Sequence, residues 1–474
     1  MSVDSQISNL LLNLTFSPSS GNIYLIGQIQ CVFSIKYYQI LGLYQSTDQI
    51  ALISPIVNTS SIFVQNISFT PYGFNPGNLS SYLFSISNNS AYCLQYITVI
   101  LGNSTNPQIL SQMGSTQSKF FQFGGVLNQL NSTTVNLTDT MFHARQILKV
   151  YYMSNSGLII GRTIQGDTLN IERLCVTQAL KSYATFAYFG VIGFFEGTIQ
   201  FQKSNIILNL MSSDTFSCFS TIGAIGTSIS VFHSLKISVL TNTGGNYVSA
   251  LVGKNSATNT IVTNCSVYSS SLNAYQYVGG YFGFTQAVTF KFCQIKNANI
   301  TAKIQVGGVI GYGSGSYIQI SNCSVKFVVL KTNTVGSGML GQIQIGATVH
   351  LANDQVSSST VNCSVNAGGF IGFAEHSVII IISEGVVSSL IIAATSSKAG
   401  GFIGTFGQTG YGGTLKIVTS MINGVKVISP SYAGIAVGCK YPTYSVSTSV
   451  LRGFNYVNNI KISNCQNFAS SCTV

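Results

Sequence analysis

Three carboxylates set the chemical question for this chain. Asp139, Asp167 and Glu196 follow one another at separations of 28 and 29 residues, with Glu172, Arg162 and Arg173 nearby in sequence. In a repeat of about that length, such spacing places acids on neighbouring turns. Two acids on one face, or an acid beside a basic partner, are what polysaccharide hydrolysis or lyase chemistry needs. The chain has only ten acidic residues in 474, however, and acids in turns commonly cap backbone groups. The other ionisable candidates are weaker. Glu375 and His376 are adjacent and would point to opposite faces of a strand, and His143, His233 and His350 are isolated. No CxxC or Cys/His zinc spacing occurs, so no metal site is expected. Glycine-rich phrases are present, but none has a lysine in Walker position or a following helix. No cofactor is expected, and the balance favours a chain that is not an enzyme.

Those glycine phrases reveal the elements that must carry any site. The clearest read VGGYFGF, VGGVIGY, AGGFIGF and AGGFIGT, closing at Gly283, Gly311, Gly372 and Gly404. Weaker copies close at Gly161, Gly193, Gly226, Gly253, Gly341 and Gly438, so steps along the series run from 27 to 34 residues. A period this regular marks a stacked array rather than one central core. In the unit 306–333, GGVIGY reads as a buried strand entered by a tight turn. Tyr317 to Ser321 alternates with Ile318 and Ile320 on one face; after Asn322 the apolar set becomes Cys323, Val325 and Phe327. The slip in phase predicts a bend at Asn322 and about three short strands per unit.

Such a unit can bury its apolar face only against copies of itself. The expected fold is therefore all-β: a right-handed parallel β-helix with about thirty residues per coil. Asparagine suits its corners because it tolerates left-handed geometry. Asn205, Asn264, Asn322, Asn362, Asn423 and Asn464 are expected there, with amides that form a ladder along the stack. Carried toward the N-terminus, the phase puts Gly27, Ser54, Ser85 and Asn128 in the glycine slot, giving about fourteen coils. The expected division is a cap at 1–19, degenerate coils over 20–120 with an insertion around 105–118, and the repeat array over 121–474.

Composition agrees with this architecture. Only 7% of residues are charged and 46% are hydrophobic, and the rest is dominated by uncharged polar residues and glycine. That is the opposite of a disordered chain. The most apolar stretch, 376–397, is broken by Ser383, Glu384, Gly385, Ser388 and Ser389, so no transmembrane helix is expected despite a mean hydropathy of +0.39. The net charge of +11 comes mostly from scattered lysines, including Lys236, Lys296, Lys326 and Lys426, with no basic run. Nucleic-acid binding is not expected. Eleven cysteines cannot all pair within one chain. Those of the Asn-Cys-Ser triplets at Asn264, Asn322 and Asn362 are expected as stacked, buried thiols, which makes the same triplets poor glycosylation acceptors; Cys465 and Cys472 could close a terminal loop. Twelve N-x-S/T sites hint at a secretory history, yet the first residues do not read as a signal peptide and no terminal anchor is visible.

The phrases GGYFGF, GGVIGYGSGSYIQISNCSV and GGFIGF resemble the GLUG motif repeat, with Tyr281, Val309, Phe370 or Phe402 in its leucine slot. The resemblance is clearest over 278–405. It implies right-handed β-helix segments of large surface-exposed, adhesin-like proteins and supplies no catalytic residues. The expected function is thus a surface or secreted structural and adhesive solenoid whose polar face binds a glycan or protein ligand. The alternative is a carbohydrate-processing β-helix acting through Asp139, Asp167 and Glu196. Uncapped coil ends would also favour end-to-end self-association.

Overall fold

A computed structural model of the chain describes residues 5–16, 24–101, 121–212, 218–448, 451–452 and 469–471, apart from short breaks at 25, 27, 31, 46–50, 52, 76–79, 82, 125, 151–152, 165, 183–187, 227–228, 408–411 and 441–443. Every described element is a β-strand, and strands pair in parallel with their equivalents one repeat away. The chain is a parallel β-solenoid. It divides into two compact units, one of residues 1–236 with 240–245, the other of 237–239 with 246–474.

In the first unit, Gln28, Ile56, Ile86, Gln129, Arg162, Phe194 and Ala224 align one above another, one per coil. In the second, the same position is held by Lys254, Phe284, Tyr312, Gln342, Phe373, Thr405 and Cys439. This register corrects two readings of the glycine slot. Gly193 aligns with Gly223 rather than Gly226, and Ser85 aligns with Pro55 rather than Ser54. Gly226 instead rests against the Phe194 and Glu196 side chains. The slot expected at Gly27 lies outside the described residues.

A coil of the second unit has four strands rather than three: Gln305–Gly307, the long Ile310–Ser321, Ser324–Lys326 and Val329–Thr332. Alternation along them builds the core. Ile318, Ile320, Val325, Val328 and Leu330 are buried, and all but Val328, which meets Ser359, lie on an apolar residue of the next coil, as Val325 does on Val356 and then Val387. The predicted bend at Asn322 is present, with φ at 56°. Phe327, however, is not in the core. It occupies a second left-handed corner, φ 57°, and is 59% exposed.

Between the first two strands the chain turns so sharply that the glycines meet backbone to backbone. A Cβ on Gly311 would lie 2.7 Å from the Gly283 oxygen and 2.7 Å from the Val278 nitrogen. Real side chains do not approach backbone so closely, so the column Gly283, Gly311, Gly341, Gly372, Gly404 and Gly438 is a steric requirement of this crease. Its mouth is closed by a seam that joins each coil to the next. Tyr247 meets Phe284 at 5.8 Å and Tyr277 meets Tyr312 at 5.0 Å. Further along, Gln305 donates to Gln342, and Thr405 donates to Asn366 at 2.7 Å.

Gly336 is a useful contrast. It aligns with Val306 and Ala367, and a Cβ there would meet the Thr332 methyl at 3.1 Å and other side chains at 3.5 Å, with no backbone atom as near. We therefore expect Gly311→Ala to destabilise the chain by about 3 kcal/mol through overpacking. Gly336→Ala should be neutral or stabilise by about 0.5 kcal/mol by restricting the unfolded chain. Urea unfolding of the two variants would measure this; equal midpoints would refute the assigned role of the glycine column.

Candidate functional site

The sequence-predicted acids are brought to three different environments. Asp139 sits at a left-handed corner, φ 52°, and its coil neighbour is Arg173, also left-handed at 56°. Arg173 donates through Nε and Nη2 to the two Asp139 oxygens at 2.6 and 2.8 Å, and through Nη1 to Glu172 at 2.6 Å. Lys203, next along the same column, donates to Glu172 at 3.0 Å. The bidentate Arg173 contact holds Asp139 below the usual carboxylate range, and the Lys203 hydrogen bond does the same for Glu172. This is a solvent-exposed ion-pair chain, of the kind that contributes little to stability. Both carboxylates are fixed as anions against cations.

Asp167 lies at the start of the strand Asp167–Glu172, aligned with Gly197, and is 1% exposed. Its two oxygens accept the Thr133 and Ile164 amides at 2.7 and 2.8 Å. Burial nonetheless pushes its pKa up to about 7. Glu196 immediately precedes Gly197, and its backbone is held by the Thr163 hydroxyl, which donates to the Glu196 carbonyl at 2.9 Å and accepts the Glu196 amide. Arg162 stands 5.8 Å from the centre of the Phe194 ring. Asp167 and Glu196 therefore belong to neighbouring positions, but Asp139 does not join them. The local repeat is 34 residues, so its coil partner is residue 173 and not 167.

Asp167 instead belongs to a pattern that recurs at every kind of corner. The residue following a left-handed position interrupts the regular pairing, and its coil neighbour's amide needs an acceptor. Ser90 serves Ser60 at 3.2 Å, Ser204 serves Leu174 at 2.9 Å, Ser270 serves Val239 at 3.0 Å and Ser359 serves Val328 at 3.0 Å. The hydroxyls also donate to the carbonyl two residues earlier, as Ser359 does to Ser357 at 2.8 Å. Cys265, Cys293 and Cys323 occupy this place in successive coils. Their thiols donate to the carbonyls of Thr263, Lys291 and Ser321, and the Cys293 amide donates to the Cys323 sulfur at 3.3 Å. The stacked thiols are thus hydrogen-bonding members of a ladder rather than small hydrophobes alone. Their mutual contact raises the Cys293 pKa to about 12 and that of Cys323 further, which leaves them poor nucleophiles.

Sequence reasoning missed Asp354, which continues the cysteine column. It is fully buried, accepts the Cys323 amide at 2.8 Å and the Ala352 amide at 3.1 Å, and burial raises its pKa to about 7. The signal was available: Asn353-Asp354 repeats the setting of Asn322-Cys323 one coil on. The expected asparagine corners are only partly found. Asn264 and Asn322 are left-handed and exposed, not buried, whereas Asn362 lies within the strand Thr360–Cys363, also exposed, Asn205 begins a strand and Asn423 ends one. An amide ladder does exist, but elsewhere: Asn88 donates to Asn58 at 2.8 Å and Asn131 to Asn88 at 3.4 Å. Asn464, Cys465 and Cys472 lie outside the described residues. Cys439 is in a disulfide, whereas Cys363 is a free thiol.

Among the described residues, no three His, Cys, Asp or Glu side chains are grouped to hold a metal ion. No described helix is long and apolar enough to cross a membrane. The second unit does carry a shallow groove of about 260 Å³, lined by Thr301, Lys331, Asn333, Asn362, Ser364 and Thr395 among others. Neither a known family, nor a curated protein, nor a solved structure matches the chain.

The two buried carboxylates make a pH prediction. Their folded pKa values, about 7, stand above the ordinary 3.8, so their contribution is fully present below about pH 4 and is lost as pH rises through 7. Stability should fall between pH 5 and 8 by an amount on the order of 3 kcal/mol per carboxylate. Asp354→Ser installs the hydroxyl used elsewhere in the ladder and should flatten part of that fall. Denaturation of both proteins across this range is the measurement; parallel pH profiles would refute the assignment.

Proposed function

We propose that the chain is a non-catalytic binding solenoid, displayed on a cell surface or secreted, that presents a polar strand face to a glycan or protein partner. The observation that carries this reading is the fate of the candidate acids. Asp139 is clamped by Arg173, and Asp167 has both oxygens turned to backbone amides. A general acid or base must reach a substrate proton, and a carboxylate used in either way is poorly placed to do so. The strands of the second unit meanwhile expose regular polar columns, such as Gln294 and Ser324, or Thr301, Lys331 and Asn362. Extended faces of this kind suit recognition of long partners. The likeness of the glycine phrases to GLUG repeats supports the surface assignment.

The test has two arms. Antibody labelling of intact source cells should give signal without permeabilisation, and the purified chain should bind saturably in a screen of immobilised glycans and surface proteins. Asp139→Asn and Asp167→Ser should leave that binding unchanged, with no polysaccharide cleavage in wild type or variants. Cleavage by the wild type that either substitution removes would replace this reading with the carbohydrate-processing one.

A further inference from the structure

Between Asp214 and Asp354 the sequence contains seven lysines, no acid and no arginine. Spread along 139 positions this looks diffuse, but stacking brings five of the seven onto two adjacent coils of the second unit. Lys291, Lys296 and Lys303 lie on one coil, Lys326 and Lys331 on the next. Lys296 and Lys326 are directly opposed partners in the parallel pairing of Gln294–Lys296 with Ser324–Lys326. Like charges so placed repel and destabilise a sheet, and among the described residues none of the five has an ion-pair partner. Lys303 stands 4.8 Å from the centre of the exposed Tyr275 ring.

Two further observations give this surface a chemistry beyond charge. Lys331 is also part of the wall of the groove, whose other polar residues offer hydroxyls and carboxamides. Phe292 and Phe327, each 59% exposed and each left-handed at φ 57°, stand at the corners that bound the Lys296 and Lys326 strands. Bulky aromatic residues rarely adopt that conformation, and burial does not explain these two.

We propose that this lysine-bearing surface, which wraps the corners at Phe292 and Phe327, binds an acidic polysaccharide. The lysines take its carboxylate or sulfate groups, the groove hydrogen-bonds its hydroxyls, and the phenylalanines cover apolar sugar faces at the edges. A polynucleotide fits less well. The groove beside Lys331 offers hydroxyls and carboxamides rather than ring faces on which bases could stack, and the stretch between Asp214 and Asp354 has no guanidinium for bidentate phosphate contacts. An anionic membrane would meet that same polar groove where it needs apolar surface. The proposal rests on the binding reading above and names its ligand class.

The full chain would be titrated against dextran sulfate, polygalacturonate and neutral dextran, with an oligo(dT) strand and phosphatidylserine vesicles as competing classes. We expect saturable, salt-sensitive binding to one or both acidic polysaccharides, and their ranking tells sulfate from carboxylate recognition. Lys296→Gln/Lys326→Gln/Lys331→Gln should weaken it by about tenfold or more, while Lys254→Gln/Lys398→Gln/Lys416→Gln, with the same change in net charge, should not. The triple Lys→Arg version should retain binding, and Asn362→Ala/Ser364→Ala should weaken it without altering its salt dependence. Equal losses in both glutamine triples, or tighter binding to oligo(dT) or vesicles, would overturn the proposal. So would an absence of binding to either acidic polymer; if the chain still captured a neutral glycan or a protein, the general binding role would stand and this ligand class would not.

Discussion

Coils that stack in parallel exchange amide-to-carbonyl hydrogen bonds with the coils on both sides, and a left-handed corner breaks that exchange by turning one residue out of register. A buried amide orphaned in this way needs an acceptor, and at many of these corners a side chain of the neighbouring coil supplies it. Serine, cysteine and aspartate supply it in this chain, at Ser90, Ser204, Cys323, Asp167 and Asp354 alike. Once that bond is made, strands on either side of the corner can keep strict alternation and the aliphatic columns close. The corner conformations themselves cost free energy in non-glycine residues, a cost that regular stacking offsets.

This dependence explains the electrostatics of the candidate site. Aspartate is an able acceptor of two amides but a poor occupant of a dry interior as an anion. The same residue that completes a corner therefore carries a raised pKa without having any part in catalysis. Perturbed titration is a pointer to function only when the group can reach a substrate, and Asp167 and Asp354 are turned toward backbone.

The periodicity made the solenoid legible, and the phase slip at Asn322 located a real corner. What sequence could not supply was register. Coils differ in length, so fixed spacing misassigned Gly226 and Ser54 and grouped Asp139 with Asp167, where the structure pairs Asp139 with Arg173. Asn362 shares its triplet with Asn264 and Asn322 yet sits in a strand, because the triplet is short and the coil context is not encoded in it. Phe327 alternated correctly with Cys323 and Val325, but a second corner intervened. The lysine-bearing surface was hidden for the same reason. Lys296 and Lys326 are thirty residues apart in sequence and become neighbours only through stacking.

The crease seam bears on how such an array can lengthen. Each seam contact joins one limb of a coil to the opposite limb of the next, aromatic with aromatic from Tyr247 to Tyr312 and amide with amide from Gln305 to Gln342. A coil duplicated inside either run would meet compatible partners on both sides, whereas one copied across the change from rings to amides would leave a mismatched junction. Duplication is thereby channelled toward blocks of like seam chemistry, ring against ring or polar group against polar group.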